Sequence, residues 1–194
     1  MRTGRPRQFD RREALTRAMD VFWTRGFEGA SVRDLLTAMK INRGSMYDTF
    51  GDKRSLFLEA IDHYLGNVTG PIVEGLTKAG SSLDNVRRML RKVSDAAAED
   101  CRGCLMTNVT VEVAPRDDDV AAIVRQAMRG MENAFREALD RAVAAGELKR
   151  SADTRALARF LVNTLQGLVV LGKGKAPRRS REDVIDVAMR ALAA

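Results

Sequence analysis

Apolar side chains recur at three- and four-residue steps along most of the 194 residues of this chain. That spacing places them on one face of a helix, and it restricts the fold more than any other feature of the sequence. Only TNVTVEV, residues 107–113, alternates as a strand does, and it is short. Aromatic residues make up 5% of the chain, whereas Ala, Leu and Met, which favour helices, are plentiful. The sequence therefore predicts an all-α protein of about nine helices.

Capping residues and glycines predict where these helices begin and end. Asp10 precedes the first helix, Gly26 ends it, and Ser31 precedes the second. A very short third helix follows a tight turn at residues 40–42, and another short helix is expected after Gly103. The longer helices of the remaining chain are predicted to begin near Lys53, Ser82, Asp117, Asp153 and Ser180.

The excess of basic residues is concentrated near the start of the chain. Residues 1–54 contain 12 Lys and Arg against 7 Asp and Glu, a net charge of +5. The other 140 residues contain 21 against 19, a net charge of only +2. Such a distribution suits a nucleic-acid-binding surface, although a solvated arginine-rich segment would produce it too. The change near residue 50 predicts two domains: residues 1–52, a basic arm and DNA-binding domain, and residues 53–194, a larger helical domain.

Residues 31–50 fit a helix-turn-helix, in which one short helix supports a second across the major groove of DNA. Met46 and Phe50 are spaced to face the protein interior. Arginine is the commonest reader of guanine, because its guanidinium donates two hydrogen bonds to one base. The same spacing would also suit an ordinary helical hairpin in an all-α core. The polar residues predicted to face outward are Arg43, Ser45, Asp48 and Thr49.

Further side chains are suited to contacts with the DNA backbone, which fix the position of a protein on its site. Tyr47, Thr49 and Lys53 can reach phosphates from the third helix and the start of the fourth. The segment RTGRPRQ, residues 2–8, is too polar to fold alone. The arginines of that segment that could follow the backbone or enter the minor groove are Arg5 and Arg7.

The segment ALTRAMDVFWTRGFEGASVRDLLTAMKINRGSMYDTFGDKRSLFLEAI resembles the N-terminal domain of TetR/AcrR-type transcriptional regulators. The matching motifs are FWTRGFEGASV, LLTAMKINRGSMYDTF and GDKRSLF, whose order, spacing and aromatic positions agree over about residues 9–60. Residues 61–194 match only the general plan of that family, a helical domain for ligand binding and dimerisation. The resemblance implies a homodimer that binds a palindromic operator, usually as a repressor, and leaves it when a small molecule binds.

The resemblance also implies roles for particular residues. Gly44 departs from the family pattern, because many relatives carry a side chain there, and it leaves less surface for base contact. By position, the residues resembling base-facing ones are Arg43, Ser45 and Asp48. The residues resembling phosphate contacts are Tyr47, Thr49 and Lys53, with Ser31 and Arg33 from the supporting helix.

In the resembled family the last two helices usually form a four-helix dimer interface, and a ligand cavity lies within the larger domain. Methionine is adaptable and suits a cavity for an apolar ligand, but every residue named below would serve equally as core. The residues expected at the dimer interface are Phe160, Leu161, Leu165, Leu168, Val184, Ala188 and Leu192. The residues expected to line the cavity are Met89, Val93, Leu105, Met106, Val109, Met128, Met131, Phe160 and Thr164.

The chain has two cysteines, Cys101 and Cys104, in the segment CRGCLM. A structural zinc site needs about four ligands, and the single histidine, His63, lies far upstream, so we predict no metal site. A helix that starts after Gly103 would place Cys104 in its first turn, where amides and the helix dipole can lower a thiol pKa. The alternatives are therefore a redox- or electrophile-sensing regulator that acts through Cys104, with Cys101 nearby, or two thiols that only pack.

Other classes of protein find less support. His63 has no partner at catalytic spacing, and GKGK at residues 172–175 lacks the spacing of a phosphate loop, so the sequence predicts neither an enzyme nor a cofactor. A nonspecific architectural DNA-binding protein would spread its basic charge over the whole chain. Two cysteines, no secretory signal and no apolar run of about 20 residues predict a cytoplasmic protein without a membrane partner.

Overall fold

The computed structural model describes residues 9–193, and side chains as far as residue 192. All regular secondary structure in these residues is helical, which confirms the all-α prediction. The nine predicted helices are present together with one additional short helix, α5. No helix among the described residues is long and apolar enough to cross a membrane. The α-helices are α1 Arg11–Gly29, α2 Val32–Met39, α3 Arg43–Phe50, α4 Lys53–Tyr64, α5 Gly70–Glu74, α6 Ser82–Asp100, α7 Leu105–Glu112, α8 Asp118–Ala144, α9 Thr154–Lys173 and α10 Arg178–Ala193.

The chain divides after Leu65 into two compact units. In the first, α4 packs along α1, so this packing boundary lies beyond the division at residue 52 that the charge pattern predicts. That earlier division concerns which residues serve DNA binding, and it remains a prediction. Arg5 and Arg7 lie outside the described residues.

An aromatic cluster holds the helices of the first unit together. Phe22, 1% exposed, packs edge-on against Phe57, with 5.1 Å between ring centroids. The Phe27 and Phe57 ring centroids lie 4.7 Å apart, so the part of α1 that follows Gly26 shares the same core. Gly26, at φ 73°, interrupts α1 where the sequence predicts its end, and one further helical turn follows. A positive φ favours glycine, and here it turns the chain so that Phe27 can reach the cluster.

The second unit is built around the packing of α9 on α6 and α8, with α10 against α6 and α9. Gly172 of α9 makes the closest approach, because a Cβ added to it would lie 2.8 Å from Cβ of Ala97 in α6. The buried core residues shared by these helices include Val86, Met89, Leu90, Phe135, Leu139, Leu161, Leu165, Leu168, Ile185 and Leu192.

The strand-like alternation at residues 107–113 does not produce a strand, because most of it lies in α7. Leu105, Met106 and Val109 are buried at helical spacing, whereas Val111 is 74% exposed. Burial of one helical face therefore outweighs the β-branched composition of this short segment.

Most of the apolar residues that the sequence assigns to a dimer interface lie in the core of the single subunit. They have little surface left for a partner in the single subunit, and their role at a dimer interface remains a prediction. Phe160 is 40% exposed and Val184 is half-buried, and both remain accessible. The exposed surface of α9 and α10 also includes Val170 and Val187. The predicted interface residues that are buried within the subunit are Leu161, Leu165, Leu168, Ala188 and Leu192.

Candidate nucleic-acid interface

A reciprocal capping box begins α2. The Asp34 amide donates to the Ser31 hydroxyl, and the Ser31 amide donates to Asp34 Oδ2, each at 3.1 Å. Hydrogen bonds from Ser31, reinforced by Arg25 Nη1 at 2.8 Å, hold the pKa of Asp34 below its ordinary value. The family resemblance implies that Ser31 contacts the DNA backbone, and in the structure its hydroxyl also donates to Asp34 Oδ2 at 2.7 Å.

The turn between α2 and α3 passes through Lys40, whose backbone is left-handed at φ 57° and ψ 40°. The amides of Lys40 and Ile41 both donate to the Leu36 carbonyl, which closes the end of α2. Asn42 then begins α3, since its Oδ1 accepts a hydrogen bond from the Ser45 amide at 2.8 Å. These short-range contacts fix the direction in which α3 leaves α2.

Two buried side chains fix the inner face of α3. Met46 is fully buried and Phe50 is 3% exposed. Arg43 and Asp48 are exposed and Tyr47 is 46% exposed, so α3 presents a polar face with an aromatic ring to solvent. The remaining predicted contact residues of α3, which are half-buried, are Ser45 and Thr49.

Gly44 lies on the exposed side of α3 beside its cap. A Cβ at this position would lie 3.3 Å from Asn42 Oδ1, which is tight. The glycine therefore leaves the cap oxygen clear for the Ser45 amide. This gives a local structural reason for the departure from the family pattern that the sequence shows.

The α3–α4 junction positions Lys53, another predicted phosphate contact. Gly51 adopts φ 79°, and Asp52 then caps α4 by accepting from the Ser55 amide at 2.7 Å. Hydrogen bonds from Ser55 also lower the pKa of Asp52. The Lys53 ammonium lies 4.5 Å from the centroid of the Phe27 ring, a cation–π distance. The aromatic core thus supports Lys53 at the edge of the α3 surface.

Arg11 of α1 also contacts α3, and no sequence pattern predicted this contact. Its guanidinium carbon lies 5.0 Å from the Phe50 ring centroid, and Nη2 lies 2.5 Å from Glu59 Oε2. Arg11 therefore links α1, α3 and α4 at the C-terminal end of α3. Nothing in its sequence neighbourhood distinguishes it from the adjacent arginine, because the partners are far away in the chain.

His63 serves packing between α1 and α4. Its Nε2 lies 2.9 Å from Thr16 Oγ1, and the Thr16 hydroxyl donates to the Arg12 carbonyl at 2.9 Å. The predicted DNA-binding surface lies elsewhere in the same unit, on α2 and α3.

The cysteine segment connects α6 to α7 in the second unit. Cys101 ends α6 in the left-handed conformation, at φ 57°, and Cys104 is the residue immediately before α7. Neither cysteine forms a disulfide, and both are half-buried. The described residues contain no group of three or more side chains suited to a metal ion.

Asn108 of α7 ties this segment to the end of α9. Its amide nitrogen donates to the Arg102 carbonyl at 3.0 Å, and its Oδ1 accepts from Lys173 Nζ at 2.7 Å. Gly103 lies beneath Lys173, and a Cβ on Gly103 would come within 3.0 Å of that side chain. Displacement of the cysteine segment would therefore disturb the C-terminal end of α9.

The residues predicted to line a ligand cavity do not share one environment. Phe160 is 40% exposed, so part of its surface faces solvent. Val93, Met128 and Met131 are half-buried. The predicted cavity residues that are buried are Met89, Leu105, Met106, Val109 and Thr164.

Two family models match the chain. "Bacterial regulatory proteins, tetR family" covers residues 14–60, and "Tetracyclin repressor-like, C-terminal domain" covers residues 82–187. YezE of Bacillus subtilis, an HTH-type transcriptional regulator, is 34% identical over 97% of this chain and 99% of its own length. The HTH-type transcriptional repressor ComR of Escherichia coli is 28% identical over 86% of this chain and 81% of its own length.

Solved structures of the transcriptional regulator CifR are also similar. One cysteine-substituted variant in complex with 26-bp operator DNA is 39% identical, with a TM-score of 0.87, over 96% of this chain and 99% of its own. A second such variant with operator DNA is 38% identical, with a TM-score of 0.88, over 97% of this chain and all of its own. The similarity thus spans both compact units of the chain.

Proposed function

Since this chain belongs to the TetR family of bacterial regulatory proteins, we propose that it binds a palindromic DNA operator as a homodimer and represses transcription until a small molecule releases it. The observation that carries the proposal is the two-sided packing of α3. Met46 and Phe50 anchor the helix, while Arg43, Tyr47 and Asp48 face solvent. The likeness to the operator-bound CifR structures supports it.

Base recognition in this proposal rests on the exposed face of α3. Arg43 would donate to guanine in the major groove, and Asp48 would accept from a cytosine amino group. Ser45 is half-buried and lies one turn from Asp48, so it would contact the groove edge. The Asn42 cap matters here because it holds the first turn of α3, which carries Arg43.

Phosphate contacts would surround these bases. Tyr47 and Thr49 would bind one strand from α3, and Lys53 would reach it from the support of the Phe27 ring. Arg33 is exposed on α2 and would contact the other side of the groove. In the same proposal residues 1–52 serve DNA binding, with Ser31 offering a backbone contact and Arg5 and Arg7 following the duplex.

Dimerisation would use the exposed side of α9 and α10. Phe160, Val170 and Val187 are all at least 40% exposed, and they are large apolar side chains. A two-fold interface buries the same patch on both subunits. Two recognition helices would then meet half-sites about one DNA turn, or roughly 34–36 Å, apart. Residues 53–194 would thus provide dimerisation as well as the site for an apolar ligand.

Selection of binding sites from random DNA with the purified protein, at a stated salt concentration, tests the central proposal. We expect one short palindrome to be enriched. The variant Arg43→Ala should lose about 1–3 kcal/mol of discrimination at one base pair of each half-site. Arg125→Ala, which removes the same charge from an exposed position on α8, is the matched control and should bind as the parent does. Uniform coating of DNA without an enriched sequence would instead identify an architectural protein.

A second candidate mode of release uses the thiols, and the geometry of the cysteine segment favours it. Cys101 and Cys104 occupy the two ends of the α6–α7 connection, which Asn108 and Lys173 tie to α9. Modification of either thiol would therefore strain the end of α9. Treatment of the operator complex with an electrophile such as N-ethylmaleimide should release DNA. Release that persists in Cys101→Ser and Cys104→Ser variants would refute the thiol mode.

A further inference from the structure

A polar seam joins α10 to α6 in the second unit. Arg87 Nη1 lies 2.5 Å from Asp186 Oδ1, and Arg91 Nη2 lies 2.9 Å from Glu182 Oε2. The later residue of α6 in these two pairs, Arg91, contacts the earlier residue of α10, Glu182, so the two helices run antiparallel. Arg181 continues the seam towards the C-terminal end of α6.

Arg181 is unusual because it is an arginine with only 6% of its surface exposed. Its Nη1 donates to the Ser94 carbonyl at 2.6 Å and to the Ser94 hydroxyl at 2.8 Å, and it lies 3.3 Å from Asp95 Oδ1. Its Nε is also buried, yet it has no acceptor among the described residues. A buried donor without an acceptor is costly, so the contacts of Arg181 with Ser94 and Asp95 must offset that cost.

Arg181 borders a solvent-open cleft of about 280 Å³ at this end of the seam. A cleft of this size lies at the lower limit for small-molecule sites, so the ligand must be small. Arg178 and Glu99 are exposed, and neither makes an ion pair within the part of the chain that the structure describes. The lining residues are Asp95, Ala98, Glu99, Arg178 and Arg181.

The charges of the cleft select the ligand class. A simple anion would be attracted by Arg178 and Arg181 but repelled by Asp95 and Glu99, and a simple cation would meet the opposite problem. A molecule with both charges satisfies both pairs. We propose that this cleft binds a small zwitterion, with its carboxylate on the two arginines and its ammonium group on the two carboxylates. Arginine suits the first role, since its planar fork matches a carboxylate.

This inference goes beyond operator binding and concerns a different place from the apolar ligand of the proposed function. Its test needs only the full-length protein and a small molecule, so its result does not depend on whether the proposed function is correct. The probes are β-alanine, 4-aminobutyrate and 6-aminohexanoate, which vary the distance between the charges. Butyrate and butylamine each keep one charge and serve as ligand controls. Isothermal titration calorimetry provides the dissociation constants.

We expect at least one zwitterion to bind with a Kd of about 1 mM or lower, and at least tenfold more tightly than butyrate or butylamine. Arg178→Gln and Glu99→Gln should each weaken binding at least tenfold. Arg179→Gln is the matched control, because Arg179 is exposed on the same turn of α10 but does not line the cleft. Equal binding of the single-charge probes, an equal loss in the Arg179 variant, or no binding of any zwitterion at about 20 mM would overturn the proposal.

Discussion

The two compact units differ in how their helices are held in place. In the first unit, each of α1 to α4 begins with a side-chain cap from the residue directly before it: Asp10, Ser31, Asn42 and Asp52. In the second unit, local caps exist too, but Glu147 reaches α6 from 65 residues away. A local cap thus begins every helix of the unit that presents α3, whereas in the second unit the start of α6 also depends on a side chain that is distant in the sequence.

The largest expected effect lies in the second unit, at Gly172. A Cβ there would lie 2.8 Å from the Ala97 Cβ and 3.0 Å from the Ala98 amide nitrogen. Gly172→Ala should therefore force α9 away from α6 and lower the free energy of unfolding by about 1–3 kcal/mol. Urea denaturation at fixed protein concentration measures it. The control is Gly167→Ala in the same helix, where no atom lies within 4 Å and helix propensity should raise stability by about 0.5–1 kcal/mol. Similar behaviour of the two variants would show that the α6–α9 contact is looser than the structure indicates.

Glu147 should follow in size. Its carboxylate accepts hydrogen bonds from the Ser81 hydroxyl at 2.6 Å, the Ser82 amide at 3.0 Å and the Leu83 amide at 3.1 Å. Glu147→Ala should cost about 1–2 kcal/mol of unfolding free energy, because it removes three acceptor contacts at the start of α6. Glu137→Ala, at an exposed position on α8, should change it little.

The same carboxylate predicts a pH dependence. The Ser81 hydrogen bond, followed by those from Leu83 and Ser82, holds the pKa of Glu147 below its ordinary value. Its stabilising contribution is therefore complete above the ordinary value and is lost as the pH falls through the folded value. The stability difference between the parent and Glu147→Ala should shrink in acid. A difference that stays constant from pH 7 to about pH 3 would contradict this account of the cap.

These contrasts also explain what the sequence could predict. The helices with nearby caps and clear apolar stripes were found, and so was the inward orientation of Met46 and Phe50. The seam at Arg181 was missed, because Ser94 and Arg181 are 87 residues apart and carry no local signal. The burial of most predicted interface residues within the subunit was not apparent for a related reason: an apolar stripe on α9 indicates burial but does not say whether Leu161 meets its own core or a partner.

A smaller effect is expected at Asn42, within the first unit. Asn42→Ala removes the acceptor for the Ser45 amide and should lower the free energy of unfolding by about 1 kcal/mol. Because the first turn of α3 carries Arg43, operator affinity should fall as well, which links stability to DNA binding. Asn42→Asp, which keeps the cap oxygen, should retain the stability, and Asn133→Ala in α8 controls for loss of an exposed amide. Full operator affinity in a destabilised Asn42→Ala protein would separate the cap from recognition.

The smallest effect, and the one of opposite sign, is expected at Lys40. Its left-handed backbone costs a residue with a Cβ about 1 kcal/mol or more, and glycine avoids that cost. Lys40→Gly should therefore raise the free energy of unfolding by up to about 1 kcal/mol, since the greater freedom of glycine in the unfolded chain offsets part of the gain. Lys78→Gly removes the same charge at φ −61°, where there is no strain to relieve, and should be neutral or destabilising. If both glycine variants lose stability equally, the conformation of Lys40 does not determine the α2–α3 turn. The comparison between a first unit with a local cap at every helix and a second unit that also needs a distant contact would then fail at this turn.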